Sequence, residues 1–141
     1  MRGILLLLLM GAVFTDLVRG KIYNVLVFPA AAAGILLRLE SGGRYAVPGL
    51  LISMALPGLL IPFWLCGRGI AAGDIKLLFA ISCLMAPAVF LPCLILSFVA
   101  GAILAILVWI AGKDRKASIP MAVPIAAGTG IVVLGTGGGL V

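Results

Sequence analysis

The chain has no histidine, only four acidic residues, and charged residues of either sign make up just 10% of its 141 positions. Ordinary soluble domains carry about 25% charged residues, so a water-facing globule is excluded. Its three cysteines, Cys66, Cys83 and Cys93, form no CxxC pair. Without histidine or paired cysteine the chain offers neither a zinc ligand set nor a disulfide framework, and neither a metal nor a cofactor is expected. What is abundant is apolar: 65% of residues are hydrophobic and the mean hydropathy is +1.39. They come as long runs separated by short polar breaks, the pattern of several membrane-spanning helices. The net charge of +6 would suggest nucleic acid in a soluble protein. Here Lys and Arg sit mostly in the breaks between apolar runs, where they serve topology and anionic headgroups, so no nucleic-acid partner is expected.

The first apolar run follows Arg2 but lacks a small-x-small cleavage site, and it continues through Val13-Phe14-Thr15-Asp16 into a charged loop. It reads as a retained helix and not as a removed signal. Apolar runs place spans at 3–18, 22–37, 46–66, 70–87, 89–112 and 118–138, and the expected fold is an all-α integral membrane protein, a six-transmembrane-helix bundle forming a single domain over 1–141. Pro57, Pro62, Pro87, Pro92, Pro120 and Pro124 predict kinks and breaks in these helices. With alternating spans, the loops after the first, third and fifth helices share a face that carries Arg19, Lys21, Arg68, Lys113, Arg115 and Lys116. The other face has Arg2, Arg38 and Arg44. The positive-inside bias then puts the first face in the cytoplasm and both termini outside, in a multi-pass protein of the cell membrane. Trp64 and Trp109, near span ends, fit interfacial anchoring.

Among the acidic residues, Glu40 and Asp114 fall in loops beside Arg38, Arg44, Lys113 and Arg115, where solvated charge clusters explain them. Asp16 and Asp74 differ. One ends the first helix and the other lies a turn into the fourth, positions where an ionisable group costs up to roughly 2.5–3.5 kcal/mol. The deduced topology brings both to the cytoplasmic side. Two carboxylates at one site can share a proton, one activating water and the other protonating the developing oxyanion or amine, which is aspartic protease chemistry. The residues alone leave other readings open: Asp16 as a helix-end residue beside Arg19 with Asp74 paired to Lys76 or an arginine, a small proton- or cation-coupled transporter or channel using both aspartates, or a non-cleaving assembly factor.

Local sequence favours the protease. The segment Ala71-Ala72-Gly73-Asp74-Ile75-Lys76-Leu77-Leu78 resembles the GxGD segment of the prepilin peptidases, membrane aspartic proteases that cut leaders from type IV pilin-like precursors. Asp16-Leu17-Val18-Arg19-Gly20-Lys21-Ile22-Tyr23-Asn24 is similar to that family's first motif, and the segment from Ile119 to Gly128 is similar to the start of its last helix. Ala71 stands where the motif has its first Gly, and Tyr23 where Pro is usual. The resemblance implies catalytic Asp16 and Asp74, supporting or substrate-binding roles for Gly73, Lys76 and Asn24, and cleavage without N-methylation, as in the short members that serve Flp-type (tight-adherence) pili. The implied partner is a prepilin-like precursor held in the lipid bilayer. Asn24 is expected to cap the second helix, and Lys76, two residues from Asp74, to point away from it. Helix dipoles are expected to set the aspartates apart, with Asp16 at a C-terminal end the acid and Asp74 near an N-terminal end the base.

Overall fold

A computed structural model of the chain describes residues 1–66, 71–111 and 121–137, and within them the regular structure is helical. The helices are α1 (Arg2–Arg19), α2 (Asn24–Gly42), α3 (Ala46–Gly58), α4 (Ile61–Leu65), α5 (Ala72–Leu84), α6 (Pro87–Ile110) and α7 (Ala122–Gly135), with a 3₁₀ turn at Gly43–Tyr45. Each of the expected intervals therefore carries a helix. Arg68, Lys113, Asp114, Arg115, Lys116, Ile119 and Pro120 lie outside the described residues.

Two intervals differ from expectation. The helix placed at 22–37 runs on to Gly42, and stops where Gly43 adopts φ 53, a left-handed conformation that only glycine takes without strain. The helix placed at 46–66 is broken at Leu59–Leu60 into α3 and α4. Pro62 has no N–H to give to a carbonyl four residues earlier, and Pro57 disturbs the preceding turn in the same way, so the run cannot continue as one rod. The same chemistry ends α5: Ala86 precedes Pro87 and is held extended at ψ 152, and α6 starts with the proline in its first turn.

Two stretches, Asn24–Gly58 and Pro87–Ile110, are long and apolar enough to cross a membrane, the first being bent at the Gly43 turn. Along α6 the side chains of Leu91, Ile95, Val99, Ile103, Ile106 and Trp109 are exposed. So are Leu7, Met10, Phe14 and Leu17 on α1. A continuous apolar surface of this extent needs lipid or a partner against it.

The central helix is short. α5 has 13 residues, about 20 Å of rise, too little for a bilayer core of about 30 Å. Its Leu77, Leu78, Ala80, Ile81, Ser82, Cys83 and Leu84 are all buried. Because protein and not lipid surrounds it, its length does not have to match the bilayer. α2 closes on it through Gly34, where an added Cβ would come within 2.9 Å of the Cys83 backbone. α7 closes on α6 through Gly128, where an added Cβ would stand 2.5 Å from the Ser97 backbone nitrogen. These glycines set the interhelical distances in the way small residues do in membrane bundles.

Arg38 is a correction. Its place near a loop makes it a topology charge beside Glu40, yet α2 carries it into the protein, where it is only 3% exposed. Its Nη1 donates to the carbonyls of Met85 (2.8 Å) and Ser82 (3.4 Å) and to Ser53 Oγ (3.4 Å). Those carbonyls belong to the C-terminal end of α5, where the helix dipole is negative and a cation is favoured. Arg38 thus closes the end of α5 opposite to Asp74 and ties it to α2 and α3.

Candidate active site

Helix α1 ends because Gly20 takes the left-handed conformation, φ 61, and its N–H bonds back to the Asp16 carbonyl. That turn leaves the Asp16 side chain at the foot of α1, beside the first residue of α7. Its Oδ2 accepts a hydrogen bond of 3.0 Å from the Ala122 N–H. At the other end of the same pair of helices Arg2 donates to the Gly137 carbonyl, so α1 and α7 run antiparallel. Asp74 sits three residues into α5, where its Oδ2 accepts from the Ala71 N–H at 3.3 Å. This is the carboxylate half of a capping box. Ala71 has no side-chain oxygen to complete the other half.

Both carboxylates line one open cleft of about 390 Å³, walled also by Lys21, Tyr23, Asn24, Gly73 and Lys76. Asp74 is buried, 6% exposed, and Asp16 is half-buried. Asp16, Asn24, Gly73, Asp74 and Lys76, the residues expected at the site, thus all line this cleft.

The geometry corrects the expected roles of their neighbours. Asn24 does not cap α2: Tyr23 occupies the cap position without a side-chain bond, and Asn24 is the first helical residue. Its Oδ1 instead accepts from Lys76 Nζ at 3.1 Å, so the two side chains bridge α2 and α5 at the cleft mouth. The expectation that Lys76 points away from Asp74 agrees with this bond. The dipole asymmetry is also revised. Asp16 does end α1, but its carboxylate faces the N-terminus of α7, and Asp74 faces that of α5. Both carboxylates then stand in a partially positive field, and helix dipoles do not divide acid from base.

Sequence reading missed the Ala122 N–H as the partner of Asp16. The proline-bearing segment that contains it resembles a helix start, and a helix start with unpaired N–H groups is itself a site for a carboxylate. Tyr23, in place of the usual proline, receives a hydrogen bond from Arg19 Nη1 at 2.6 Å and lies 5.5 Å from its guanidinium carbon. Ala71, in place of the motif glycine, has φ −80 and ψ 147, which any residue adopts. The replacement therefore introduces no backbone strain.

The model of the type IV leader peptidase family matches residues 3–106, a span that holds Asp16, Asn24, Gly73, Asp74 and Lys76. The chain belongs to this family. It is an aspartic-type peptidase, and the exposed apolar helices described above agree with a membrane enzyme. The third resembling segment, from Ile119 to Gly128, lies beyond the matched span. No curated protein and no solved structure matches the chain.

Within this prepilin peptidase family member, the Lys76–Asn24 bridge predicts coupled stabilities. Lys76→Met and Asn24→Ala should each lower the thermal unfolding midpoint in detergent slightly. The double variant should fall no further than the worse single one, a coupling of about 0.5–1 kcal/mol. Strictly additive losses would show that the bridge contributes nothing.

Proposed function

We infer that the protein removes the leader peptide from type IV prepilins of the Flp/Tad-like class at the cytoplasmic face of the cell membrane, with Asp16 and Asp74 as the catalytic pair. The observation that carries this reading is the single cleft lined by both carboxylates, each held by a backbone N–H at the start of a helix. Held this way, each carboxylate keeps one oxygen committed to its N–H and the other available to water or substrate. The pair works with one shared proton. The ionised carboxylate takes a proton from water as the water oxygen bonds to the scissile carbonyl carbon, and the protonated one delivers its proton to the carbonyl oxygen. Collapse of the tetrahedral intermediate breaks the C–N bond, the amine leaves with a proton from the first carboxyl, and the hydroxyl proton returns to the second. The proton count of the pair is restored, and no cofactor is required.

In this reading the helical passes cross the bilayer six times, α3 and α4 together forming one crossing, with both termini outside. The cleft then lies where Lys21 and Lys76 meet cytoplasmic headgroups, and a precursor enters with its basic leader in water and its apolar helix in lipid.

Co-expression with a prepilin-like precursor tests the function: the precursor should shorten by its leader when the wild-type chain is present. Undiminished processing by an Asp16→Asn or Asp74→Asn variant would sink the reading. Topology is tested separately in a cysteine-free background. Lys21→Cys should react with an impermeant thiol reagent only from the cytoplasm and Arg44→Cys only from outside, and the reverse pattern would invert the proposed orientation.

A further inference from the structure

Arg19 is the last residue of α1 and Tyr23 the cap of α2, and only Gly20, Lys21 and Ile22 separate them. Arg19 Nη1 donates to the Tyr23 hydroxyl at 2.6 Å, and its guanidinium carbon stands 5.5 Å from the ring centroid. A charge-assisted hydrogen bond and a cation–π attraction thus join the same two side chains across the connection between the helices.

That connection reaches towards both aspartates. At its start the Gly20 N–H bonds to the Asp16 carbonyl at 2.8 Å. At its end the Tyr23 carbonyl accepts from the Leu26 N–H at 3.1 Å and opens α2. Between the two, Ile22 packs on the core and lies over Gly73, where an added Cβ would stand 3.5 Å from the Ile22 Cβ. Gly73 immediately precedes Asp74. The connection therefore spaces the end of α1, which carries Asp16, from the start of α5, which carries Asp74.

Its backbone chemistry does not fix it. Gly20 is the residue type with the widest choice of φ and ψ. Tyr23 holds φ −80 and ψ 133, the extended geometry to which a pyrrolidine ring confines its residue. A tyrosine has no such ring and can take any part of the β and α regions. Here its side chain is tethered instead, from Arg19 on the preceding helix. Tyr23 stands where proline is usual, and the tether supplies the restriction that a proline supplies covalently.

We propose that Arg19 and Tyr23 form a clamp that keeps this connection in its proline-like conformation, and that Arg19 is thereby a positioning residue for the aspartate pair. The proposal rests on the leader-peptidase reading above. Both side chains are exposed, so water competes for the contact and the clamp adds little to global stability. What it sets is the fraction of molecules with Ile22 seated over Gly73, and turnover scales with that fraction.

The test is a cycle on the full-length protein in proteoliposomes, with kcat and KM measured on a prepilin-like precursor. Arg19→Gln should lower kcat about fivefold, as expected if about one molecule in five keeps the connection in place, with KM and the unfolding midpoint unchanged. In a Tyr23→Pro background the same Arg19→Gln change should alter kcat less than about twofold, because the ring now holds the backbone. The cap N–H has no partner within the helix to lose to proline. Should Tyr23→Pro not fold, a Tyr23→Leu background serves, since Arg19 has no ring or hydroxyl to hold there and its loss should again cost nothing further. Equal kcat losses from Arg19→Gln in Tyr23 and substituted backgrounds, a rise in KM in place of a fall in kcat, or no loss at all would overturn the clamp and leave the peptidase reading intact. If wild type cleaves no precursor, the peptidase reading falls instead, and a spin label at Lys21→Cys in a cysteine-free background reads the clamp alone. Arg19→Gln should mobilise that label, and unchanged mobility would overturn the clamp.

Discussion

Asp16→Asn and Asp74→Asn should each reduce leader removal by at least about a thousandfold, and the double variant should be no worse than the more damaged single one. Groups that act as a unit show this non-additivity, because losing either member abolishes the shared-proton pathway. The substitutions separate chemistry from folding. Asparagine keeps a side-chain oxygen, so the Ala122 N–H can still be accepted at position 16 and the Ala71 N–H at position 74. What disappears is the ability to gain and lose a proton. Both variants should therefore reach the membrane in wild-type amounts and unfold close to the wild-type midpoint in detergent. Additive losses of a few fold each would mean that the two carboxylates assist binding independently and share no proton.

Gly128→Ala gives the largest expected loss of stability. Its new Cβ would lie 2.5 Å from the Ser97 nitrogen and 2.8 Å from its Cα. Backbone cannot rotate aside as a side-chain tip can, so α6 and α7 must separate, at a cost of about 1–3 kcal/mol. The unfolding midpoint should fall, and activity with it, because α7 also positions the Ala122 N–H against Asp16. Gly73→Ala is the control for stability. There the added Cβ meets only the Ile22 side chain at 3.5 Å, an ordinary contact, so the fold should be unaffected. Equal midpoints for the two variants would show that the α6–α7 approach is looser than described.

Much of this was legible from residue types because the signals are local. Long apolar runs become helices wherever the backbone must satisfy its own hydrogen bonds in lipid. Glycine and proline mark the ends: Gly20, Gly43 and Pro87 each stop or start a helix by restricting or extending the backbone at that residue. An aspartate at the foot of an apolar helix stands out by its cost, and Asp16 and Asp74 were found for that reason. Arg38 was misread for the converse reason. Its position beside polar residues looked like a loop, and nothing local reveals that α2 extends past it or that α5 ends opposite it.

The sequence by itself determined the helices, their apolar character, the two aspartates and the family to which their surroundings belong. Each of these follows from residue chemistry over a few turns of chain. The tertiary structure alone decided what the aspartates face. The partner of Asp16 is a backbone N–H 106 residues away, and the partner of Asn24 is a lysine 52 residues away. Backbone donors carry no residue identity, so no spacing rule in the sequence announces them. Which helix start meets which carboxylate depends on interhelical distances set by Gly34 and Gly128, and those are set by packing across the whole bundle.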